Sequence, residues 1–242
     1  MQDAKIRLHV DHPLGQGQLV PLTRDQAHYL FGVMRLGAGD ALRVFNGRDG
    51  EWRAHVVDAA KRGGLLRADE QTAPQRNPPD LWLVFAPIKK ARTDFIVEKA
   101  TEMGAARILP VQTAFTNAER VRRDRLQAHA VEAVEQCGGT LVPEVAELQK
   151  LDRLLDAWPP DRRLMFCDES LAGGSSALPG GLAGAPWAIL IGPEGGFSRA
   201  ERDRIAALPA SHPVALGPRI LRADTAAVAA LTVWQLGCGD WQ

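Results

Sequence analysis

Cysteine is scarce in this chain: three residues, Cys137, Cys167 and Cys238, odd in number and far apart. With no C-x-x-C spacing, neither a zinc cage nor a disulfide framework is indicated, and a cytosolic protein with reduced thiols is expected. No run of about eighteen apolar residues occurs, so no membrane-spanning helix is expected. The start, MQDAKIRLHV, lacks the apolar core of a secretory signal. The histidines, at 9, 12, 28, 55, 129 and 212, show no metal-ligand spacing, so no metal is expected. The familiar nucleotide loops are missing too. Without G-x-x-x-x-G-K-[ST] a P-loop NTPase is disfavoured, and without G-x-G-x-x-G after a strand so is a dinucleotide fold. H-E-x-x-H and G-x-S-x-G are also absent, and the six tryptophans are spread without forming a stacking platform.

Net charge is lacking as well, but its distribution is uneven. Residues 1–125 hold 20 Lys+Arg against 15 Asp+Glu, and residues 126–242 hold 9 against 14. A positive first half is compatible with a polyanion footprint and equally with ordinary surface scatter. The 242 residues, 45% of them hydrophobic, suffice for one large domain or two modest ones.

The pattern changes near residue 73. In ALRVFNGRDGEWRAHVVD (41–58) two β-rich runs flank a turn dipeptide, and short apolar runs continue through residue 70. A helical period is visible only from Asp25 to Met34. Residues 1–72 therefore read as a small β-rich domain. The proline-rich tract QTAPQRNPPD reads as a linker, with 73–80 as the boundary. From 81 onward strand runs (LWLVFAP, RILPV, RLMFCDE, WAILIG, PVALG) alternate with helical ones, which predicts an α/β domain built on a parallel sheet. Ligands of such sheets bind at the carboxyl ends of the strands.

Two loops of one form sit there. IGPEGGFS (191–198) and LGPRILRADTA (216–226) each follow a strand run and precede a helix. Their glycines let the backbone approach a ligand closely, and Ser198-x-x-Glu201 is a capping box that starts a helix beside the first loop. Glu194 would repel phosphates, which favours an adenosine-like or cationic ligand. Either loop alone is equally a tight strand–helix turn.

LIGPEGGFSRAE followed by LGPRILRADTAAVAAL resembles the RsmE family of SPOUT methyltransferases, which methylate N3 of a uridine in small-subunit (16S) ribosomal RNA. The resemblance extends along nearly the whole chain. HYLFGVMRLGAGDALRVFNG is similar to the family's PUA-like domain, KKARTDFIVEKATEMG to its signature helix, and EAVEQCGGTLVPEV to a further family stretch. It implies a SPOUT domain over 81–242 with a C-terminal trefoil knot, a PUA-like β-barrel over 1–72, and a homodimer with each active site near the subunit interface. It implies S-adenosylmethionine (S-adenosyl-L-methionine) as cofactor and the assembled small ribosomal subunit as partner. By motif position the cofactor falls to Phe166, Ile191, Gly192, Glu194, Gly195, Gly196, Leu216, Gly217, Ile220, Leu221, Arg222, Thr225 and Ala226. Two departures stand out. Asp224 replaces the family's usual glutamate, which suits a helix N-cap, and QTAFTNAERV replaces a segment that commonly carries an Arg-Ser pair.

Methyl transfer to a uridine nitrogen leaves negative charge spread over O2 and O4, which a guanidinium can stabilise. Arg222 is the candidate for that role, equally suited to holding its own loop or the donor carboxylate, and Glu194 is the weaker candidate for a general base. RNA phosphates call for Lys and Arg: Arg7, Arg24, Arg35, Lys89, Lys90, Arg92, Arg120, Arg122 and Arg123.

Overall fold

The computed structural model describes residues 4–60, 63–118, 120–173 and 184–241. It divides into two compact units, one of residues 1–77 with 134–142, the other of 78–133 with 143–242.

In the first unit, β1 (Arg7–His9), β2 (Leu19–Pro21), β3 (Ala41–Phe45), β4 (Glu51–Ala60) and β5 (Gly63–Ala73) form one sheet in the order β1-β3-β4-β5-β2. The β3–β4 pair is the antiparallel hairpin expected around NGRDG. Asn46 Oδ1 closes its turn by accepting from the N–H groups of Arg48 and Asp49. The helical stretch after Thr23 is α1 (Arg24–Ala27), which passes directly into a π-helical turn over His28–Val33. Arg35 leaves that turn in the left-handed region, at φ 59°. Leu8, Leu30, Leu42, Val44, Val56 and Leu66 close the core.

Arg7, expected to face RNA, is instead engaged within the protein. Its Nε lies 2.6 Å from Glu51 Oε2, and its two terminal nitrogens donate to the carbonyls of Val134, Glu135 and Gly139. The guanidinium also covers the Phe45 ring at 4.6 Å. A side chain 9% exposed with all three nitrogens engaged is a structural cation, and it ties residues 134–142 to the rest of the first unit.

The second unit begins with β6 (Leu81–Phe85), α2 (Lys90–Glu102), β7 (Arg107–Gln112) and α3 (Arg123–Cys137), whose last residues, from Val134, belong to the first unit. The short β8 (Glu144–Val145), β9 (Gln149–Lys150) and α4 (Leu151–Asp156) lead into β10 (Arg163–Cys167) and β11 (Trp187–Ile191). After these come α5 (Arg199–Ala206), β12 (Ser211–Val214) and α6 (Ala223–Cys238). Every strand pairing is parallel, in the order β12-β10-β11-β6-β7-β8, with β9 beside β7. The chain builds β6, β7 and β8 outward in one direction and then crosses over. It lays β10 beyond a gap, inserts β11 into the gap, and adds β12 outside.

The strands are buried on both faces, as parallel strands are. Val84, Leu164, Phe166, Ala188 and Leu190 join Leu154, Leu155 and Ile205 of α4 and α5 in one core. The alternate residues, Leu83, Phe85, Met165 and Ile189, point the other way and are equally buried. On that side α6 packs against α2 and β11.

Arg7→Ala should leave Glu51 buried without its main partner and three carbonyls without a donor. The expected loss is about 3–5 kcal/mol of stability, read as a lowered denaturant midpoint.

Candidate functional site

The carboxyl ends of β10, β11 and β12 open on a cavity of about 270 Å³, near the small end of the range for small-molecule sites. Both glycine loops form its wall. Ile191, Gly192, Glu194, Gly195 and Gly196 come from the first, and Leu216, Gly217, Ile220 and Leu221 from the second, joined by Ala226 of α6. Asp168, Glu169 and Ala172 close the side after β10.

The first loop is a tight turn in which Gly196 N–H donates to the Pro193 carbonyl at 2.9 Å. Gly196 is left-handed, at φ 67°, and its Cα faces the Glu169 carboxylate so closely that a methyl there would overlap Oε1. Gly192 is required for space instead: a methyl on it would stand 2.6 Å from the Phe197 ring. Ser198 then caps α5, accepting from the Glu201 N–H, while Glu201 accepts from the Ser198 N–H in return, as the capping box predicts. The second loop is fastened by Gly173 N–H, which donates to the Gly217 carbonyl at 3.0 Å.

The carboxylates around the cavity are paired. Asp168, buried, accepts from the Ser170 N–H at 2.9 Å, and Arg202 Nη1 lies 3.5 Å from both Asp168 and Glu169. Arg92, at the start of α2, donates to Glu194 at 2.9 Å and stands 3.6 Å from Asp224 in the first turn of α6. Cys167 also lines the wall; burial pushes its thiol far up, so it stays protonated and unreactive at neutral pH. Among the described residues no group of His, Cys, Asp or Glu is arranged to hold a metal ion.

Residues 75–235 match the RNA methyltransferase domain family, and residues 22–68 match the RNA methyltransferase PUA domain family. The ribosomal RNA small subunit methyltransferase E of Rickettsia conorii is 31% identical over 229 residues, 93% of each chain. That of Synechocystis is 32% identical over 88% of this chain and 71% of its own. The chain belongs to the ribosomal RNA small subunit methyltransferase E family. Among solved structures, the family's Neisseria gonorrhoeae protein bound to S-adenosyl methionine superposes with a TM-score of 0.88 at 25% identity, over 98% of this chain and 99% of that one. A Legionella pneumophila protein in complex with the cofactor SAM gives 0.86 at 27% identity, over 97% and 98%. The first unit of this family member thus carries a PUA-like domain, and the second a SPOUT-type α/β domain.

Of the thirteen residues assigned to the cofactor by motif, ten meet at the cavity and three do not. Phe166 is buried on the opposite face of β10, its ring edge-on to Phe197 at 5.2 Å; its neighbour Cys167 faces the cavity in its place, because side chains alternate along a strand. Arg222 and Thr225 are exposed at the start of α6, outside the wall. Arg222 itself is the N-cap of α6 and makes no side-chain cap bond. Asp224 lies in the first helical turn, where the helix dipole favours it, rather than at the cap. Asp168 and Glu169, which end the FCDE run expected to flank the adenosine, stand on the wall, and Val214 and Arg219, which no motif marks, stand there too.

The basic residues sort as sharply. Arg24 and Arg35 in the first unit, and Lys89, Lys90 and Arg120 in the second, are exposed. Arg92 is engaged by Glu194 and Asp224, Arg122 by Asp124 at 2.7 Å, and Arg123 Nε by the Val145 carbonyl at 2.8 Å.

Gly196→Ala should cost about 1–2 kcal/mol for its left-handed backbone and drive Glu169 off Arg202. Gly217→Ala, with open space around it at φ 101°, should pay the backbone cost alone. Thermal denaturation of both, with and without Glu169→Ala, checks this: the added alanine at 169 should narrow the gap between them.

Proposed function

We propose that the protein transfers a methyl group from S-adenosylmethionine to N3 of a uridine in 16S ribosomal RNA, acting on the assembled small subunit. The observation that carries this reading is a cavity walled by the backbone of both glycine loops, with carboxylates on one side and apolar side chains on the other. The residues fit the cofactor. Ile191, Val214, Leu216, Leu221 and Ala226 offer an apolar bed for an adenine, and loop N–H and C=O groups can pair with its edge. Asp168 and Glu169 suit ribose hydroxyls or an ammonium group. The cofactor, when bound, supplies an electrophilic methyl on a sulfonium.

The protein's own part is to position and to balance charge. Rigid loops hold donor and acceptor in line, which lowers the barrier by several kcal/mol. Arg222 caps α6 between Leu221 and Ala223, both on the wall, and among the described residues no carboxylate pairs with it. Its exposure between these two wall residues supports an encounter with a uracil that has lost its N3 proton, and we assign it the stabilisation of the resulting charge on O2 and O4. Glu194 serves best as the anchor for Arg92. With one oxygen already accepting from that guanidinium, it is a poor base, and water takes the proton.

Exposed Arg24 and Arg35 support RNA docking on the PUA-like unit. A homodimer is supported by exposed Phe95, Ile220, Leu236 and Trp241 on the catalytic unit. The strand order supports the knot: β11 is inserted between β6 and β10, and the chain returns from β12 through residues 215–222 to lay α6 on α2 and β11. Among the described residues no helix is long and apolar enough to cross a membrane, which accords with action in the cytoplasm.

Titration calorimetry with S-adenosylmethionine should show binding, and mass spectrometry of 16S ribosomal RNA should show one methyluridine that disappears on gene deletion and returns on complementation. Arg222→Ala should bind the cofactor within about twofold of wild type and slow single-turnover methylation by about 100- to 1,000-fold. A normal rate would remove Arg222 from the chemistry.

A further inference from the structure

One exposed aromatic beside the cavity has no role in the reading above. Residues 113–116 follow β7, at the carboxyl edge of the sheet. Two threonines lock this turn: Thr113 N–H donates to Thr116 Oγ1 at 2.9 Å, Thr116 N–H donates to the Thr113 carbonyl at 3.2 Å, and the two hydroxyls are 2.8 Å apart. Ala114 N–H donates to Glu201 Oε1 at 2.7 Å. The other oxygen of Glu201 accepts from Ser198, so the turn is fastened to the residue that ends the first glycine loop.

Phe115 stands on this turn and is 48% exposed. Its Cβ rests against Gly195, a residue of the cavity wall, so closely that a methyl on Gly195 would lie 3.1 Å from it. A phenyl ring seated on a doubly anchored turn, with half its surface in water, gains little from folding. Its position gains meaning from what lies around it. The cavity wall is in contact, and exposed Asn117 and Arg120 follow on the same segment. The acceptor is a flat pyrimidine that must leave its stack to be methylated, and aromatic faces are what unstacked RNA bases settle on.

We propose that Phe115 is the stacking face for the acceptor uracil. This rests on the function proposed above. The ring positions the base and does not read its identity, since a phenyl group has no hydrogen-bonding atom. The uracil lies over the exposed face of the ring, one residue's width from the first loop, with Arg120 available to the adjoining phosphate.

The test uses the full chain, saturated with S-adenosylmethionine, on whichever RNA or ribosomal particle the wild type methylates. Phe115→Ala and Phe115→Leu should lower kcat/KM by about 10- to 100-fold while leaving cofactor affinity and melting temperature near wild type. Phe115→Trp should stay within about threefold of wild type. The leucine variant is decisive, because it keeps apolar bulk against Gly195 and lacks a π-face. Leucine as active as tryptophan would overturn the proposal in favour of simple packing. Weakened cofactor binding in the alanine variant would overturn it in favour of a wall role, and loss of the oligomer on light scattering in favour of a subunit contact. A wild-type protein that methylates no ribosomal RNA would instead defeat the function proposed above, and the stacking role with it.

Discussion

The site depends on one packing contact, that of Phe197 beneath Gly192. The chain leaves β11 at Ile191, turns through Pro193 to Gly196, and drops the Phe197 ring back under the loop, where it is 1% exposed and meets Phe166 edge-on at 72°. That ring fills the volume that any side chain at 192 would need. The loop backbone is therefore held from below by a core aromatic, and its upper surface is left to the cavity. Gly196 completes the arrangement by supplying the left-handed turn that sends residue 197 inward. The two glycines act for different reasons, one steric and one conformational, and neither tolerates a Cβ.

This contact explains why the loop was easy to notice and its wall hard to assign. A G-P-E-G-G run between an apolar strand and a capping box is legible because glycine, proline and Ser-x-x-Glu each carry a local mechanism. Which neighbour of the strand faces the ligand is not local. β10 is buried on both faces, so RLMFC shows no alternation of apolar and polar residues, and its phase is set by its partners, with Phe166 opposite Leu190 and Cys167 opposite Ile191. The parallel sheet could be expected from alternating runs, but the insertion of β11 between β6 and β10 could not, because strand order is decided by pairings far apart in sequence. The same distance hid the fate of Arg7, whose carbonyl partners are 127 to 132 residues away. Asp224 lies two positions past the helix start: Arg222 takes the cap, and the carboxylate turns to Arg92.

That ion pair matters to how the two loops act together. Arg92 on α2 reaches Glu194 of the first loop and Asp224 just past the second. Exposed pairs contribute little stability individually, and Glu194 is half exposed. The value of this one lies in geometry: a planar guanidinium shared by two carboxylates fixes the first loop against α2 and α6, which already pack on each other. A shorter acid at 224 is compatible with this because the helix start brings it within reach.

A chain of zero net charge can still present a surface to RNA, because its cations are not equivalent. Arg7, Arg123 and Arg162 are spent on backbone carbonyls, and Arg92, Arg202 and Arg204 on carboxylates. Among those left exposed without a carboxylate partner, within the described residues, are Arg24, Arg35, Lys89, Lys90, Arg120, Arg219 and Arg222. What reaches the solvent as positive potential is this remainder, and it includes the residues that flank the cavity and the start of α2. Composition counts all cations alike, whereas folding removes some from the account by burying or pairing them. A polyanion footprint depends on the unpaired set and not on the total, so a balanced charge does not exclude one.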